Sequence, residues 1–571
     1  MIEELNIRIT GEAGQGMNTI GAVISKMYKE AGFHIFSHLD FMSRVRGGNN
    51  YYQIRISNRA VSSPREQVDI LIPLTANALK LHTNSLNEHG LAIVDKEKFK
   101  ISDCSSFLCI NFYEIANKAG GNDLYINSVC TGILAALTGI KLKAVSAIIS
   151  DIFADKGEKI VQNNLEAAAI GFASAREKEG FDKFKLPKSS TSPNYLLDGK
   201  TAIGLGAISA GCKFYTAYPM SPSTGVMNTI ASYMEKFGII VEQAEDEIAA
   251  VNMAIGAGAA GVRAMTATSG GGFALMGEGI SLAAMTETPL IVGNIQRPGP
   301  ATGFPTRTEQ ADLNLVLAAG HGEFAKVIFA PGSIEESFYL TKKSFNLADK
   351  YQIPVIILSD QFLVDSIRNI DKFDLEREAI ERNLLSAKAA KELKEYQRYK
   401  LTASGISPRA VYSQIDDLIY LDSDEHTEEG HITEDGELRV KMVNKRFQKK
   451  LAALVDEYVE PTTYNLEAAE IVFFCFGSLL GPLRESLQEL NNPKLAMIHL
   501  SQVWPLNAEK IERLVQQKKR IFSVENNAEG QLAKLLKRET AIRVEGSILK
   551  YDGRPFTLEG LIRQINNAIS A

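Results

Sequence analysis

The sequence predicts an α/β protein built from several domains, and three observations lead to this class. Its 571 residues exceed what a single hydrophobic core accommodates, which suggests roughly three or four domains. Short apolar strands alternate with segments of helical periodicity along most of the chain. A polar stretch rich in proline and serine, residues 183–194, separates an N-terminal region from the remainder.

The N-terminal region, residues 1–185, opens with a strand, a glycine-rich turn and a helix. Leu5–Thr10 alternates as a strand does, residues 11–16 contain three glycines, and Met17–Ala31 has helical periodicity. Further strands are predicted at 51–56, 68–73 and 91–94, and helices at 127–140 and 160–179. This alternation favours a parallel, doubly wound sheet.

Two further α/β regions are predicted after the linker, at residues 195–440 and 441–571. The first has strands predicted at 239–241, 263–267, 290–293, 324–330 and 354–358. Its last part changes composition, because a Lys/Glu-rich helical stretch precedes an acidic loop at 422–437. The second has strands predicted at 470–475, 496–499 and 520–525.

Composition argues against several classes of function. Hydrophobic residues make up 45% and charged residues 23% of the chain, and the net charge is −6, so a nucleic-acid-binding surface is not expected. The five cysteines are scattered and form no CxxC, which argues against a disulfide framework and against a cysteine-ligated iron–sulfur cluster in this chain. The N-terminus is not a cationic signal peptide, and no run of about 20 apolar residues occurs, so we expect no membrane span and a cytoplasmic protein.

A turn carrying hydroxyl groups lies at residues 218–224. Its two prolines fix φ and present the hydroxyls of Ser221, Ser223 and Thr224 as possible hydrogen-bond donors. A rigid turn that caps a helix would explain the pattern equally well.

An acidic cluster, Glu245-Asp246-Glu247, opens an apolar run that ends at Gly261. If the run is helical, the face of Glu247 is otherwise apolar, and an ionised carboxylate there is costly. Such a carboxyl is suited to exchanging a proton with a ligand. The alternative is an ordinary acidic helix N-terminus, and periodicity alone does not choose between Asp246 and Glu247.

Two more segments follow predicted strands. The small hydroxylated residues and glycines of 266–273 let a ligand approach backbone N–H groups, although a flexible βα turn has the same composition. Arg297 follows an apolar strand directly and is suited to bidentate recognition of a carboxylate, although surface arginines are common.

Two other patterns carry less information. The turn Gly11-x-x-Gly14-x-Gly16 differs from the dinucleotide-binding order GxGxxG, and contact with a ligand or simple packing would both explain it. His426 and His431 lie in the acidic loop, which we interpret as solvated surface, so we predict no metal ligands in this chain.

These segments resemble those of the 2-oxoacid:ferredoxin oxidoreductases. Residues 218–224 match the family's Y-P-[IM]-T-P-S-[ST] motif, with Ser221 in place of the usual threonine. Residues 296–310 match QRxGPSTGxPTxxxQ, with Ala301 in place of the usual serine. The N-terminal turn is similar to the G-x-G-G-Q-G of the family's γ domain, and Arg44–Asn49 matches its R-G-G region.

The resemblance covers nearly the whole chain and implies three domains. They are a γ-type α/β domain at 1–185, a pyrimidine-type, doubly wound thiamine diphosphate-binding domain with a charged connector at 195–440, and a transketolase C-terminal-like α/β domain at 441–571. In this family γ can be a separate subunit, so the order here implies a fused γ–α subunit.

The resemblance also implies a role for each segment. Glu247 would exchange a proton with N1′ of the cofactor's aminopyrimidine ring, and Ser221, Arg297 and Thr302 would bind the 2-oxoacid. The cofactor contacts that it implies are Tyr218, Pro219, Thr268, Ser269, Gly270, Gly271 and Phe273. Its candidates for contact with coenzyme A are Gly14, Gly16 and Arg46.

Two features of such enzymes are missing from the sequence. It has no G-D-G motif of the kind that places Mg²⁺ on the diphosphate, and no cysteines arranged for a cluster. We therefore predict a β subunit that supplies the diphosphate and Mg²⁺ site and a [4Fe–4S] cluster, in an α2β2 assembly with ferredoxin as electron acceptor.

The predicted reaction is the CoA-dependent oxidative decarboxylation of a 2-oxoacid to acyl-CoA and CO₂, or its reverse. Fusion of γ to α favours 2-oxoglutarate by analogy with the family. Two alternatives are a lipoamide-linked 2-oxoacid dehydrogenase or transketolase-like component, and a non-catalytic subunit that binds CoA or a nucleotide. Residues 296–310 and the γ-like region argue against the first alternative.

Overall fold

The computed structural model describes residues 3–43, 47–187, 189, 195–393, 395–412 and 414–570. The chain divides into two compact units. One unit consists of Met1–Leu197, Asp365–Lys372 and Phe556–Leu561, and the other of Asp198–Val364, Phe373–Pro555 and Ile562–Ala571. No helix among the described residues combines the length and the apolar character that crossing a membrane requires.

The strands are numbered in chain order. They are β1 (Glu4–Ala13), β2 (His34–Asp40), β3 (Gly47–Ser57), β4 (Val68–Pro73), β5 (Leu86–Val94), β6 (Phe107–Cys109), β7 (Tyr195–Asp198), β8 (Phe214–Ala217), β9 (Ile240–Gln243), β10 (Ala264–Thr268), β11 (Leu290–Gln296), β12 (Val327–Phe329), β13 (Pro354–Asp360), β14 (Ile367–Ile370), β15 (Thr462–Tyr464), β16 (Ile471–Phe476), β17 (Leu495–Leu500), β18 (Gln502–Trp504), β19 (Arg520–Glu525) and β20 (Gly546–Leu549).

The α-helices are numbered in the same way. They are α1 (Met17–Glu30), α2 (Ala76–His82), α3 (Lys96–Phe99), α4 (Phe112–Gly120), α5 (Ile126–Thr138), α6 (Leu142–Ile152), α7 (Glu158–Arg176), α8 (Gly199–Ser209), α9 (Thr224–Ser232), α10 (Met234–Phe237), α11 (Glu247–Ala259), α12 (Gly270–Leu275), α13 (Gly277–Met285), α14 (Leu313–Leu317), α15 (Ile334–Tyr351), α16 (Gln361–Asp365), α17 (Ala387–Glu392), α18 (Gly436–Val443), α19 (Lys450–Asp456), α20 (Leu480–Leu490), α21 (Ala508–Val515), α22 (Gln531–Glu539) and α23 (Leu558–Ser570).

The first unit contains a mixed sheet with the strand order β6-β5-β4-β1-β3-β2-β14-β7. Strands β1, β4, β5 and β6 are parallel, whereas β3 runs antiparallel to both β1 and β2. The prediction of a parallel sheet is therefore wrong for this part. Only residues 41–46 connect β2 to β3, and a parallel connection needs a crossover of about a dozen or more residues.

The second unit contains two sheets. In the first, with the order β18-β12-β13-β11-β10-β8-β9, the strands from β12 to β9 are parallel and β18 is an antiparallel edge. In the other, with the order β15-β17-β16-β19-β20, only β15 is antiparallel. The α/β class predicted from the sequence is confirmed.

The central strands of the larger sheet are buried on both faces. Ile291 of β11 belongs to one core and its neighbour Val292 to the other, and helices cover both sides. Val292 shares its core with Phe474 and Ile498 of the five-stranded sheet. This shared core holds the two sheets of the second unit together.

The cysteines differ in part from the expectation. Cys104 and Cys109 form a disulfide, with their Cα atoms 6.0 Å apart. The scattered positions of the cysteines in the sequence argue against a disulfide framework, so this bond was not expected. The other three, Cys130, Cys212 and Cys475, are buried free thiols.

The connector, from residue 371 to the start of α19 at Lys450, is less helical than predicted, and its acidic loop is partly buried. Its only described α-helices are α17 and α18. His426 is fully buried, with Nδ1 3.0 Å from the Asp424 carbonyl and its ring against Tyr399, so the interpretation as solvated surface is wrong there. His431 is exposed, as that interpretation expects.

A buried ion cluster fixes the end of this connector. The carboxylate of Glu287 accepts hydrogen bonds from Lys445 at 2.5 Å and Lys450 at 2.6 Å, and all three side chains are at most 1% exposed. Burial raises the pKa of the Glu287 carboxyl, and the two lysines outweigh it, so its pKa lies below the ordinary value.

Glu287→Gln should destabilise the second unit. The substitution leaves two buried ammonium groups without their carboxylate, which lowers the free energy of unfolding by about 3–5 kcal/mol. Denaturant unfolding measures this loss, and Glu434→Gln, at an exposed acid of the same connector, is the matched control. Equal stability of the two variants would contradict the role given to the cluster.

Candidate active site

The predicted site segments lie at one edge of the seven-stranded sheet. Residues 218–224 follow β8, Glu247 follows β9, residues 269–273 follow β10, and Arg297 follows β11. These four strands are parallel and lie side by side in the order β11-β10-β8-β9. Their carboxyl ends therefore meet at a single edge, where ligands bind in open α/β sheets.

The two acids that periodicity left open have different environments. Asp246 is the N-cap of α11, and its side chain accepts a hydrogen bond from the Ala249 N–H at 2.7 Å. Glu247 is the first residue of that helix and is only 3% exposed. Its Oε1 lies 3.3 Å from the Thr268 hydroxyl, which donates to it. Glu247 is therefore the acid that faces the end of β10.

Gly272 allows this approach, although it is not among the cofactor contacts predicted from the sequence. An ideal Cβ at Gly272 would lie 2.1 Å from Thr268 Oγ1 and 2.4 Å from Glu247 Oε1. Gly271, which was selected, is exposed and has no atom within 4 Å of an added Cβ. The only sequence signal for Gly272 was its place as the third glycine of the run.

The other cofactor contacts predicted around the end of β10 differ in where their side chains lie. Thr268 and Ser269 are buried at the strand end, and Gly270 is half-buried. The side chain of Phe273 packs in the hydrophobic core, so only its backbone faces the turn.

The turn after β8 and the arginine after β11 are joined directly. Arg297 Nη1 donates to the carbonyl oxygen of Ser221 at 2.6 Å. The Ser221 side chain is exposed and Tyr218 is 41% exposed, so both are open to a ligand. Ser223, in contrast, is buried and donates to the Met220 carbonyl at 2.7 Å, which stabilises the turn itself.

The loop after Arg297 depends on a tight turn. Gly303 has a φ of 52°, and an ideal Cβ there would lie 1.8 Å from the Pro298 carbonyl oxygen, so only glycine fits. Phe304 closes the turn by donating its N–H to that same carbonyl at 3.1 Å. Thr302 is exposed on this loop.

The far end of the loop is anchored in the protein interior. Gln310 is fully buried, and its Nε2 donates to Asp360 Oδ2 at 3.1 Å and to the Phe476 carbonyl at 3.2 Å. Asp360 ends β13 and Phe476 ends β16, so Gln310 connects the two sheets. Asp360 was not selected from the sequence, and burial raises the pKa of its carboxyl.

Comparison with known proteins identifies the family. Residues 205–445 match the family described as "Pyruvate flavodoxin/ferredoxin oxidoreductase, thiamine diP-bdg", and residues 6–174 match "Pyruvate ferredoxin/flavodoxin oxidoreductase". A 2-oxoacid:ferredoxin oxidoreductase subunit alpha from a Sulfolobus species is 31% identical, over 97% of this chain and 95% of that protein. The chain belongs to the 2-oxoacid:ferredoxin oxidoreductase family.

Two further proteins refine the comparison. A 2-oxoglutarate:ferredoxin oxidoreductase from Magnetococcus marinus, solved with 2-oxoglutarate, coenzyme A and succinyl-CoA bound, superposes with a TM-score of 0.92. It is 30% identical, with all of both chains covered. A 2-oxoglutarate synthase subunit KorA from Methanocaldococcus jannaschii is 35% identical over 56% of this chain and 86% of its own.

The site of this oxidoreductase chain has polar atoms suited to a bound cofactor. Ser269 Oγ and Asn294 Oδ1 are buried, and neither has a hydrogen-bond partner among the described residues. Buried polar atoms in native proteins nearly always have hydrogen-bond partners. These two atoms, near the carboxyl ends of β10 and β11, therefore indicate a bound ligand or ordered water. The residues present therefore fit the thiamine diphosphate of the family description.

Backbone conformation alone explains the two glycines that were predicted to contact coenzyme A in the N-terminal region. Gly14 and Gly16 adopt φ of 92° and 75°, which favour glycine. An ideal Cβ at Gly16 would also lie 2.3 Å from Asn127 Nδ2. Arg46 lies outside the described residues, as do Arg44 and Val45. Contact with coenzyme A remains a prediction.

Gly272→Ala tests the contact between the glycine turn and Glu247. The added methyl group displaces Glu247 or Thr268, so we expect turnover of the assembled enzyme to fall by on the order of 100-fold. Viologen reduction dependent on a 2-oxoacid measures this loss. Gly256→Ala, at an exposed glycine of α11, is the control, since its Cβ meets nothing within 4 Å. Equal activity of the two variants would contradict the geometry.

Proposed function

We propose that this chain is the fused γ–α subunit of a CoA-acylating 2-oxoglutarate:ferredoxin oxidoreductase that is active only with a β subunit. The observation that carries the proposal is the buried carboxyl of Glu247, held against Thr268 and Gly272. Arg297 lies at the same edge of the sheet, so an acid and a cation suited to binding a carboxylate both follow the carboxyl ends of its parallel strands. The domains proposed for this subunit are 1–185, 195–440 and 441–571.

Glu247 is the group that would act on the cofactor. When bound, thiamine diphosphate supplies the nucleophilic carbon and the electron sink that loss of CO₂ from a 2-oxoacid requires. A carboxyl screened from water would hold a proton at N1′ of the aminopyrimidine ring. Ser269 and the backbone of Gly270 and Gly271 would contact the ring from the turn after β10.

Arg297 and Ser221 would orient the substrate. The Arg297 guanidinium is half-buried and bonded to the Ser221 carbonyl, which leaves other N–H groups for a carboxylate. Burial lowers the pKa of Arg297, and the attraction of Asp312 opposes this change. Thr302, exposed on the loop that follows, would add a hydroxyl on the same side of the site.

The substrate is proposed from the relatives. The Magnetococcus marinus structure contains 2-oxoglutarate, coenzyme A and succinyl-CoA, and the Methanocaldococcus jannaschii relative is named for 2-oxoglutarate. The α subunits of 2-oxoacid:ferredoxin oxidoreductases match over 97% of the chain, which favours such an oxidoreductase over a lipoamide-linked or non-catalytic protein.

A β subunit would complete the site. The sequence has no G-D-G motif for Mg²⁺ on the diphosphate and no CxxC for a [4Fe–4S] cluster. We therefore assign both to a β subunit in an α2β2 assembly that passes electrons to ferredoxin. A cytoplasmic location stays a prediction of the sequence.

Glu247→Gln is the direct test of this proposal. The amide keeps the volume of the side chain and cannot exchange a proton as a carboxyl does, so 2-oxoglutarate- and CoA-dependent viologen reduction by the complex should fall by about 100-fold or more. Glu245→Gln, at the exposed acid two residues earlier, should retain wild-type activity.

Pyruvate and 2-oxoisovalerate, assayed in parallel, identify the substrate. Preference for either of them would overturn the assignment of 2-oxoglutarate while preserving the family chemistry. Full activity of Glu247→Gln would overturn the role of the buried acid.

A further inference from the structure

Asp312 lies beside the site and has no part in the assignments above. It directly precedes α14, yet its side chain makes no capping hydrogen bond to that helix. Its Oδ2 instead accepts a hydrogen bond from Asn294 Nδ2 at 3.3 Å, near the carboxyl end of β11. The carboxylate therefore faces the sheet edge that carries the site.

The same carboxylate packs against the turn after β10. An ideal Cβ at Gly270 would lie 2.4 Å from Asp312 Oδ2 and 2.9 Å from its Cγ. Gly270 begins α12, the helix that also carries Gly272 beside Glu247. Asp312 thus packs against the first glycine of this turn and leaves no room for a side chain there.

The position of Asp312 is fixed by its backbone. Its N–H donates to Gln296 Oε1 at 3.0 Å, and Gln296 Nε2 donates to the Ser359 carbonyl at 3.1 Å. Both partners belong to the ends of neighbouring parallel strands, β11 and β13. Neutralising the carboxylate would therefore leave the residue where it is.

Asp312 also lies near Arg297, because its N–H is bonded to Gln296, the residue that precedes this arginine, and the opposite charges attract each other. Burial raises the pKa of the Asp312 carboxyl to about 6, and the hydrogen bond from Asn294 and the positive charge of Arg297 counteract part of this rise. An anion near a half-buried arginine offsets some of the positive potential that a bound carboxylate would experience.

We propose that Asp312 is a positioning residue with two separable effects, one steric and one electrostatic. Its side chain supports the turn at Gly270, and its negative charge moderates the attraction of Arg297 for the carboxylate of the substrate. The inference rests on the proposed function, because it takes Arg297 to be the group that binds the 2-oxoacid.

Two variants separate the effects. Asp312→Asn keeps the volume and an acceptor for Asn294 but removes the charge, so KM for the 2-oxoacid should fall roughly threefold to thirtyfold, with kcat within about twofold of wild type. Asp312→Ala also removes the support for Gly270, so kcat should fall by about tenfold or more.

The assay is viologen reduction by the complete complex at pH 8, where Asp312 is ionised in the wild type. Asp374→Asn, which removes an exposed acid of the same unit, is the control and should match wild type in both constants. Thermal unfolding of each complex verifies assembly. If Asp312→Ala does not assemble, the KM of Asp312→Asn decides alone.

Each outcome has a definite meaning. An unchanged or raised KM in Asp312→Asn overturns the inference, and so does an equal loss of kcat in both variants, which would indicate a purely structural role. Wild-type complex that turns over none of the 2-oxoacids overturns the proposed function, and this inference with it. Active wild type beside an indistinguishable Asp312→Asn overturns the inference alone.

Discussion

The burial of the Glu247 carboxyl is the constraint on which the rest of the site depends. A carboxyl that is buried away from water needs polar partners. The hydroxyl of Thr268 is such a partner and donates a hydrogen bond to Glu247. That hydroxyl reaches Glu247 only because Gly272 has no side chain. Helix α11, strand β10 and the turn into α12 therefore meet at the contact between Glu247, Thr268 and Gly272.

The surrounding sheets hold this arrangement in place. Parallel strands bring their carboxyl ends together, which places the Ser221 turn and Arg297 next to each other, as their hydrogen bond shows. The loop after Arg297 runs back into the interior at Gln310, whose amide connects the ends of β13 and β16. The exposed part of the loop is thereby tethered at both ends, as a substrate-binding loop on a rigid scaffold requires.

The sequence predicted the features that depend on local order along the chain. The strand predicted at 263–267 is β10 at 264–268, and the one predicted at 290–293 is the start of β11, so the segments after them were placed at the correct edge. Prediction from the sequence failed where the structure depends on contacts between residues that are far apart in the chain. Glu287 and Lys445 are 158 residues apart. His426 is buried with its ring against Tyr399, although its local composition is polar. Gly272 and Asp312 could not be selected either, because their importance depends on which side chains face them in three dimensions.

The central claim is that this chain carries one half of a catalytic site. The most direct measurement purifies the chain and its β subunit separately and follows 2-oxoglutarate-dependent viologen reduction with thiamine diphosphate, Mg²⁺ and CoA. We expect no turnover by either protein alone and full turnover, with formation of the CoA thioester, when the two are mixed. Turnover by this chain alone, or an inert mixture of two folded proteins, would contradict it.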